Sequence, residues 1–455
     1  MRLVPLSRLL PDGRPPDALI AEGGGHAHCF AQFAADVAGN AEDLARRECR
    51  IGLLLAEDGY WFLVGMMALL QIGAAIVLPP NAQPGTLAAL RDAADLVVCD
   101  RPVADAAEFR LAPAARGGGF ALRRLDPQAA RLEFFTSGST GERKRITKTL
   151  AQLETEIAVL EGLWGERIGD ASFHGTAGHQ HIFGLTFRLL WPAMTGRRFA
   201  PATHFAWESL LAAQSAPAVL VVSPAHLSRL GGIPKLPAER RPRAIFTAGA
   251  PLPQAAAAEA EAVLGSLPIE IFGSTETGAI AWRRQVEANA LWQPLPGVKI
   301  AVAPAGTLEL TSPFLPRDAV HAGADLIELA QGGFRFCGRA DRICKIAGKR
   351  VSLAEIERDL AAHPWLEDAV ALALGSARDV LAVMAVPSPA GARALAELGK
   401  FRFERKLRAA LATTQDPGAL PRRWRFVAAI PTDAMGKRPL ALLERQFGEV
   451  ERGTA

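Results

Sequence analysis

Short apolar runs recur between stretches of helical character, at residues 51–55, 75–78, 96–99, 132–135, 219–222, 244–247 and 269–272. Runs this brief and this continuously apolar suit strands buried on both faces. The residues between them include helix formers such as the alanine-rich 254–264. Strand-like and helical segments in alternation predict an α/β chain of parallel sheets flanked by helices. In such folds ligands gather beyond the carboxyl ends of the strands, so whatever directly follows an apolar run is a candidate for chemistry.

Two of the runs lead into polar motifs. Residues 132–135 run into Thr136-Ser137-Gly138-Ser139-Thr140-Gly141-Glu142-Arg143-Lys144. Hydroxyls, two glycines and a lysine in a tight turn offer backbone N–H groups, short donors and one positive charge to a multiply charged anion. The spacing is not that of a Walker loop, which needs glycines five apart and a lysine directly after the second. On these residues alone a Ser/Gly-rich surface turn stays open. The other run, 269–272, opens into Phe272-Gly273-Ser274-Thr275-Glu276.

At 455 residues the chain has room for two or three domains. Its 49% hydrophobic and 22% charged content is that of a globular protein, and a net charge of +4 is too small to imply nucleic acid as a bulk partner, so none is expected. Cys29, Cys49, Cys99, Cys337 and Cys344 show no CxxC spacing, which argues against a disulfide framework or a zinc site and fits a reducing compartment. Proline and arginine interrupt the first eight residues before a signal-peptide core develops, so a cytoplasmic location is expected. Residues 60–78 are nearly uncharged and long enough for a membrane span, but Gly73 divides a Trp/Leu/Met-rich part from an Ala/Ile/Val/Leu part. A buried helix followed by a buried strand explains that switch, and no integral membrane segment is expected. Residues 101–130, rich in proline and glycine, read as an irregular connector. Beyond Glu276 shorter β segments at 297–302 and 306–310 suggest a small β subdomain, and a boundary near 338–341 leaves about a hundred residues for a C-terminal α+β domain.

Further blocks follow: Ala248-Gly249-Ala250-Pro251-Leu252, Gly338-Arg339-Ala340-Asp341, Lys345-Ile346-Ala347-Gly348-Lys349-Arg350-Val351-Ser352, and Gly436-Lys437. In this order the chain resembles the adenylate-forming superfamily of acyl-CoA and aryl-CoA synthetases, peptide-synthetase adenylation domains and luciferase. Arg143 stands where that family usually has proline. The resemblance implies a large N-terminal AMP- and acyl-binding domain (1–338), a hinge (339–341) and a mobile C-terminal lid (342–455). It also implies ATP and Mg²⁺ as cofactors, a small carboxylic acid as substrate, and the phosphopantetheine thiol of CoA or an acyl carrier protein as acceptor.

Residue by residue, the resemblance makes Lys437 the adenylation lysine and Thr136 to Gly141, with Lys144, the phosphate cradle. Glu276, with Thr136 or Thr275, becomes the Mg²⁺ site. Phe272 takes the place of the usual tyrosine against adenine and keeps the π face. Gly249, Ala250, Gly273 and Ser274 complete the nucleotide site, with Asp325 and Arg339 as ribose or phosphate partners. Asp341 is the hinge, and Gly348, Lys349 and Arg350 flank the pantetheine arm. His174, His179 and His181 form a triplet with no Cys or carboxylate nearby, which weakens a metal reading. By resemblance His181 is a gate between acyl pocket and thiol tunnel. Residues 400–425 carry eight Lys/Arg against Glu404 and Asp416, a solvated face or a surface for an acidic carrier protein or the CoA phosphate. The alternatives are an enzyme dedicated to loading a carrier protein and a degenerate nucleotide-binding regulator of the same fold. Lys144, Glu276, Asp341 and Lys437, all present, weigh against the regulator.

Overall fold

The apolar runs pair into two six-stranded sheets. The computed structural model describes all residues except 1, 12, 80–81, 83–85, 88–89, 91–92, 104–106, 115–118, 138–142, 215–216, 288–289, 347–348, 375–379, 414, 416–419, 433–437 and 449–455. The first sheet has the order Glu108–Arg110, Leu96–Cys99, Ile51–Leu55, Ala75–Leu78, Arg131–Ser137, Arg143–Thr149. The second runs Gln293–Pro294, Gly278–Arg283, Ile269–Ser274, Ala244–Ala248, Ala218–Val222, Ser172–Gly175. All seven expected runs are strands, and the pairs among them are parallel. Glu108–Arg110 adds a short parallel edge strand inside the connector expected to be irregular.

Each sheet departs from the parallel pattern where a polar motif sits. Arg131–Ser137 pairs antiparallel with Arg143–Thr149, and Ile269–Ser274 antiparallel with Gly278–Arg283. The connections, 138–142 and 275–277, are far shorter than the dozen or so residues a parallel crossover needs, so the chain must turn straight back. Both motifs therefore ride on hairpin ends.

Residues 59–78 form the expected buried helix and strand. The helix Gly59–Gln71 buries every residue except Trp61, and Asp58 caps it by accepting from the N–H groups of Tyr60 and Trp61. Gly73, at φ +77°, turns the chain into Ala75–Leu78. Among the described residues no helix is long and apolar enough to cross a membrane. Helix Leu150–Ile168 starts with a capping box between Thr149 and Gln152 and packs Trp164 against Phe246 and Trp191.

The chain divides into two compact units, one of residues 1–299 with 310–321 and one of 300–309 with 322–455. In the second, His321–Ala330 and Gly333–Arg339 pair antiparallel within a four-stranded sheet. A hairpin, Ile343–Ile346 with Lys349–Ser352, follows. Helices Leu353–Ala361 and Pro389–Leu411, the latter broken at Gly399, then cover the sheet Leu366–Leu374, Val380–Pro387, Arg423–Phe426. Its core holds Ile356, Leu381, Val383, Phe403, Leu407 and Trp424.

Candidate functional site

Lys144 lies on the returning strand of the first hairpin and Glu276 in the turn of the second. Their side chains meet, with Nζ 3.4 Å from Oε1. The Lys144 side chain is 61% exposed and that of Glu276 27%, so the pair faces an accessible surface. Burial pushes the Glu276 carboxyl up, but its own backbone N–H, the Ser274 hydroxyl and Lys144 outweigh it, leaving the group below the usual carboxylate range. An ionised carboxylate with a displaceable cation beside it is a hard oxygen donor suited to Mg²⁺.

The turn under Glu276 is built from side-chain bonds. The Ser274 N–H donates to Thr277 Oγ1 at 3.0 Å, and the Thr277 N–H to Ser274 Oγ at 3.2 Å. Gly273 has no room for a side chain, since a β-carbon there would lie 2.1 Å from the Gly278 carbonyl oxygen. Thr275 is half-buried in the same turn.

Beneath the turn lies a lysine that the motifs did not single out. Lys148 is 2% exposed and donates to the backbone carbonyls of Glu276 at 2.6 Å and Phe314 at 3.3 Å. The buried Glu156 accepts from the Ala279 N–H at 3.0 Å. Burial lowers the pKa of Lys148 and pushes Glu156 up to about 7, while each opposes the other's shift electrostatically.

The Gly249-Ala250 motif follows strand Ala244–Ala248, the neighbour of Ile269–Ser274, with Ala248 opposite Ile271. Gly249 takes φ +98°, where an L side chain is strained, and Ala250 follows it exposed to solvent. Phe272 is half-buried and stands edge-on to Trp292, centroids 5.1 Å apart. Two residues earlier, buried Glu270 holds Arg283 through bonds of 2.8 and 3.0 Å and accepts from the Leu252 N–H. Gln285 bridges Glu270 and the Leu252 carbonyl. This network ties the loop that holds Gly249 and Ala250 to the strand that carries Phe272. It was illegible in sequence because its side chains, Glu270, Arg283 and Gln285, sit outside the motifs.

The histidines turn to different partners. Arg188, fully buried in a π-helical turn Leu185–Leu190, donates to His179 Nδ1 at 2.6 Å, to Thr203 and to the Ala202 carbonyl. A guanidinium can only donate, so His179 accepts at Nδ1 and gives its Nε2 proton to the Ala56 carbonyl at 2.8 Å. Burial and then Arg188 draw its pKa down to about 3. His174 bonds the Ser172 hydroxyl at 2.9 Å, and its pKa falls to about 4, chiefly through burial. His181 directly precedes Ile182–Gly184, which leads into the π-helical turn.

In the second unit Asp325 and Arg339 are cross-strand partners, with Nη1 3.1 Å from Oδ1. Asp341 falls in the turn Ala340–Arg342, and Lys349 and Arg350 open the returning strand of the next hairpin. Part of the basic run is used structurally: Arg423 and Arg425 bond the carbonyls of Phe447 and Gln446, and Lys400 pairs with Glu404 at 3.8 Å. Gly138, Ser139, Thr140, Gly141, Gly348 and Lys437 lie outside the described residues.

The family described as AMP-binding enzyme matches residues 12–313. A 4-coumarate–CoA ligase of Rhodobacter capsulatus is 30% identical over 70% of this chain and 78% of its own length. Among solved structures, ATP-bound MatB from Rhodopseudomonas palustris superposes with a TM-score of 0.80 at 20% identity, covering 99% of this chain and 100% of that one. The o-succinylbenzoate CoA synthetase of Bacillus subtilis with AMP gives 0.78 at 17% identity, covering 94% and 96%.

Proposed function

From the premise that this chain belongs to the AMP-binding enzymes of the adenylate-forming superfamily and is an AMP-forming acid ligase, we propose that it activates an aryl or acyl carboxylic acid with ATP and passes it to a phosphopantetheine thiol of CoA or a carrier protein. The observation that carries this reading is the approach of Lys144 to Glu276, 3.4 Å apart on hairpins beyond the carboxyl ends of two parallel-stranded arrays.

A carboxylate oxygen attacks the α-phosphorus of ATP. The new O–P bond forms as the bond to the β-phosphate bridge breaks, and pyrophosphate leaves. Thr136, Ser137, Gly138, Ser139, Thr140, Gly141 and Lys144 receive the phosphates, and Lys437 meets the carboxylate and α-phosphate oxygens. Glu276, with Thr136 as a second oxygen donor, would hold Mg²⁺, which would supply positive charge to the phosphates. Phe272, Gly249, Ala250, Gly273, Ser274 and Thr275 hold the adenine end, and Asp325 and Arg339 the ribose. The thiol then attacks the carbonyl carbon, a C–S bond replaces the C–O bond, AMP departs and the thiol proton passes to solvent. For this step the lid, 342–455, turns about Asp341 within 339–341 and presents Gly348, Lys349 and Arg350 to the pantetheine arm, past His181.

A panel of aryl and acyl acids, assayed for pyrophosphate release and then for product mass with CoA and with phosphopantetheinylated carrier proteins, tests the reading. One acid that gives pyrophosphate, AMP and a thioester supports it. ATP binding without turnover on any acid contradicts it.

A further inference from the structure

Strand Arg143–Thr149 carries two lysines four residues apart, and both reach Glu276. Lys144 touches its carboxylate from a largely exposed position. Lys148, on the same face but buried, holds its backbone carbonyl at 2.6 Å and also the carbonyl of Phe314. The other end of the turn is fixed by Glu156 at the Ala279 N–H. Gly278 closes over that carboxylate at φ +71°, where a β-carbon would lie 2.5 Å from Glu156 Oε2. The two interactions with Glu276 differ in kind. A phosphate drawn to Lys144 competes with the exposed carboxylate contact, whereas the buried ammonium has no access to ligand and is bonded to backbone.

We infer that Lys148, braced by Glu156, is a positioning residue for adenylation: it fixes the backbone of Glu276 so that its carboxylate keeps its aim on the metal–triphosphate when Lys144 lets go. A cationic donor holds two carbonyls more firmly than a neutral one, and a second tie at Ala279 leaves the turn little freedom between them. The inference rests on the proposed role of Glu276 as the Mg²⁺ ligand.

The test measures Mn²⁺ binding, by electron paramagnetic resonance, in the presence of α,β-methylene-ATP, which cannot break at the reacting bond. Lys148→Met should weaken Mn²⁺ binding about tenfold. In a Glu276→Gln background the same substitution should change it less than about twofold, because the effect runs through that carboxylate. Near-normal binding by Lys148→Met, or losses that multiply fully in the double variant, overturns the inference. If Lys148→Met does not fold, Lys148→Gln carries the same comparison. Wild-type pyrophosphate release with the acid panel separates the outcomes: an active wild type with an indifferent Lys148 sinks this inference alone, and an inactive wild type sinks the functional reading with it.

Discussion

In the proposed reaction the nucleotide chemistry turns on Glu276. It is held ionised by its own backbone N–H, Ser274 and Lys144 against a burial cost, and its side chain is partly exposed. Glu276→Gln keeps the size and one accepting oxygen but removes the charge, so it should lower pyrophosphate release by about a hundredfold or more. The melting temperature should barely change, and the Mg²⁺ concentration for half-maximal rate should rise. Unchanged Mg²⁺ dependence in a steady-state titration would remove Glu276 from the site. The sequence announces Glu276 and Lys144 because each belongs to a polar motif that follows an apolar run. It hides Lys148, whose bonding partners are carbonyls 128 and 166 residues away. A lysine in a strand with polar neighbours looks solvated until the fold supplies backbone oxygens for it to hold.

At the scale of elements, apolar periodicity carried the sheets and the buried helix Gly59–Gln71, because Gly73 marks where helix gives way to strand. The π-helical turn Leu185–Leu190 was not legible: Arg188 interrupts an apolar run, and its carbonyl, threonine and histidine partners come from elsewhere in the chain. That element has a pH signature. His174 and His179 have folded-state pKa values of about 4 and about 3, below the usual 6.5, so their contribution is fully present above 6.5 and is lost as pH falls towards those values. At pH 5 each should cost about 2 kcal/mol relative to neutral pH. His179→Gln should be less stable than wild type at pH 7.5 yet lose less between pH 7.5 and 5 in urea unfolding. Parallel losses in the two proteins would mean that His179 does not stay neutral in the fold.

Over the whole molecule, the fold is shared with solved structures at only 17–20% identity. A core tolerates apolar exchange as long as volume and patterning are kept. The buried supports that aim the polar motifs, such as Glu270 with Arg283 and Gln285, are set by packing and carry no pattern of their own. If the proposed lid serves two steps in turn, the steps should be separable genetically. Lys437→Ala should lower adenylation by about a hundredfold or more while thiolysis of supplied acyl-adenylate stays within a few fold of wild type. Equal loss in both half-reactions would contradict the division of labour.

The central claim is that a carboxylate oxygen attacks the α-phosphorus of ATP at the Lys144–Glu276 surface, and oxygen tracing tests it most directly. With the acid that the panel identifies, labelled in its carboxylate with ¹⁸O, mass spectrometry of the nucleotide product should find one labelled oxygen in AMP and none in pyrophosphate. Label appearing in inorganic phosphate, ADP as the nucleotide product, or unlabelled AMP would contradict the account.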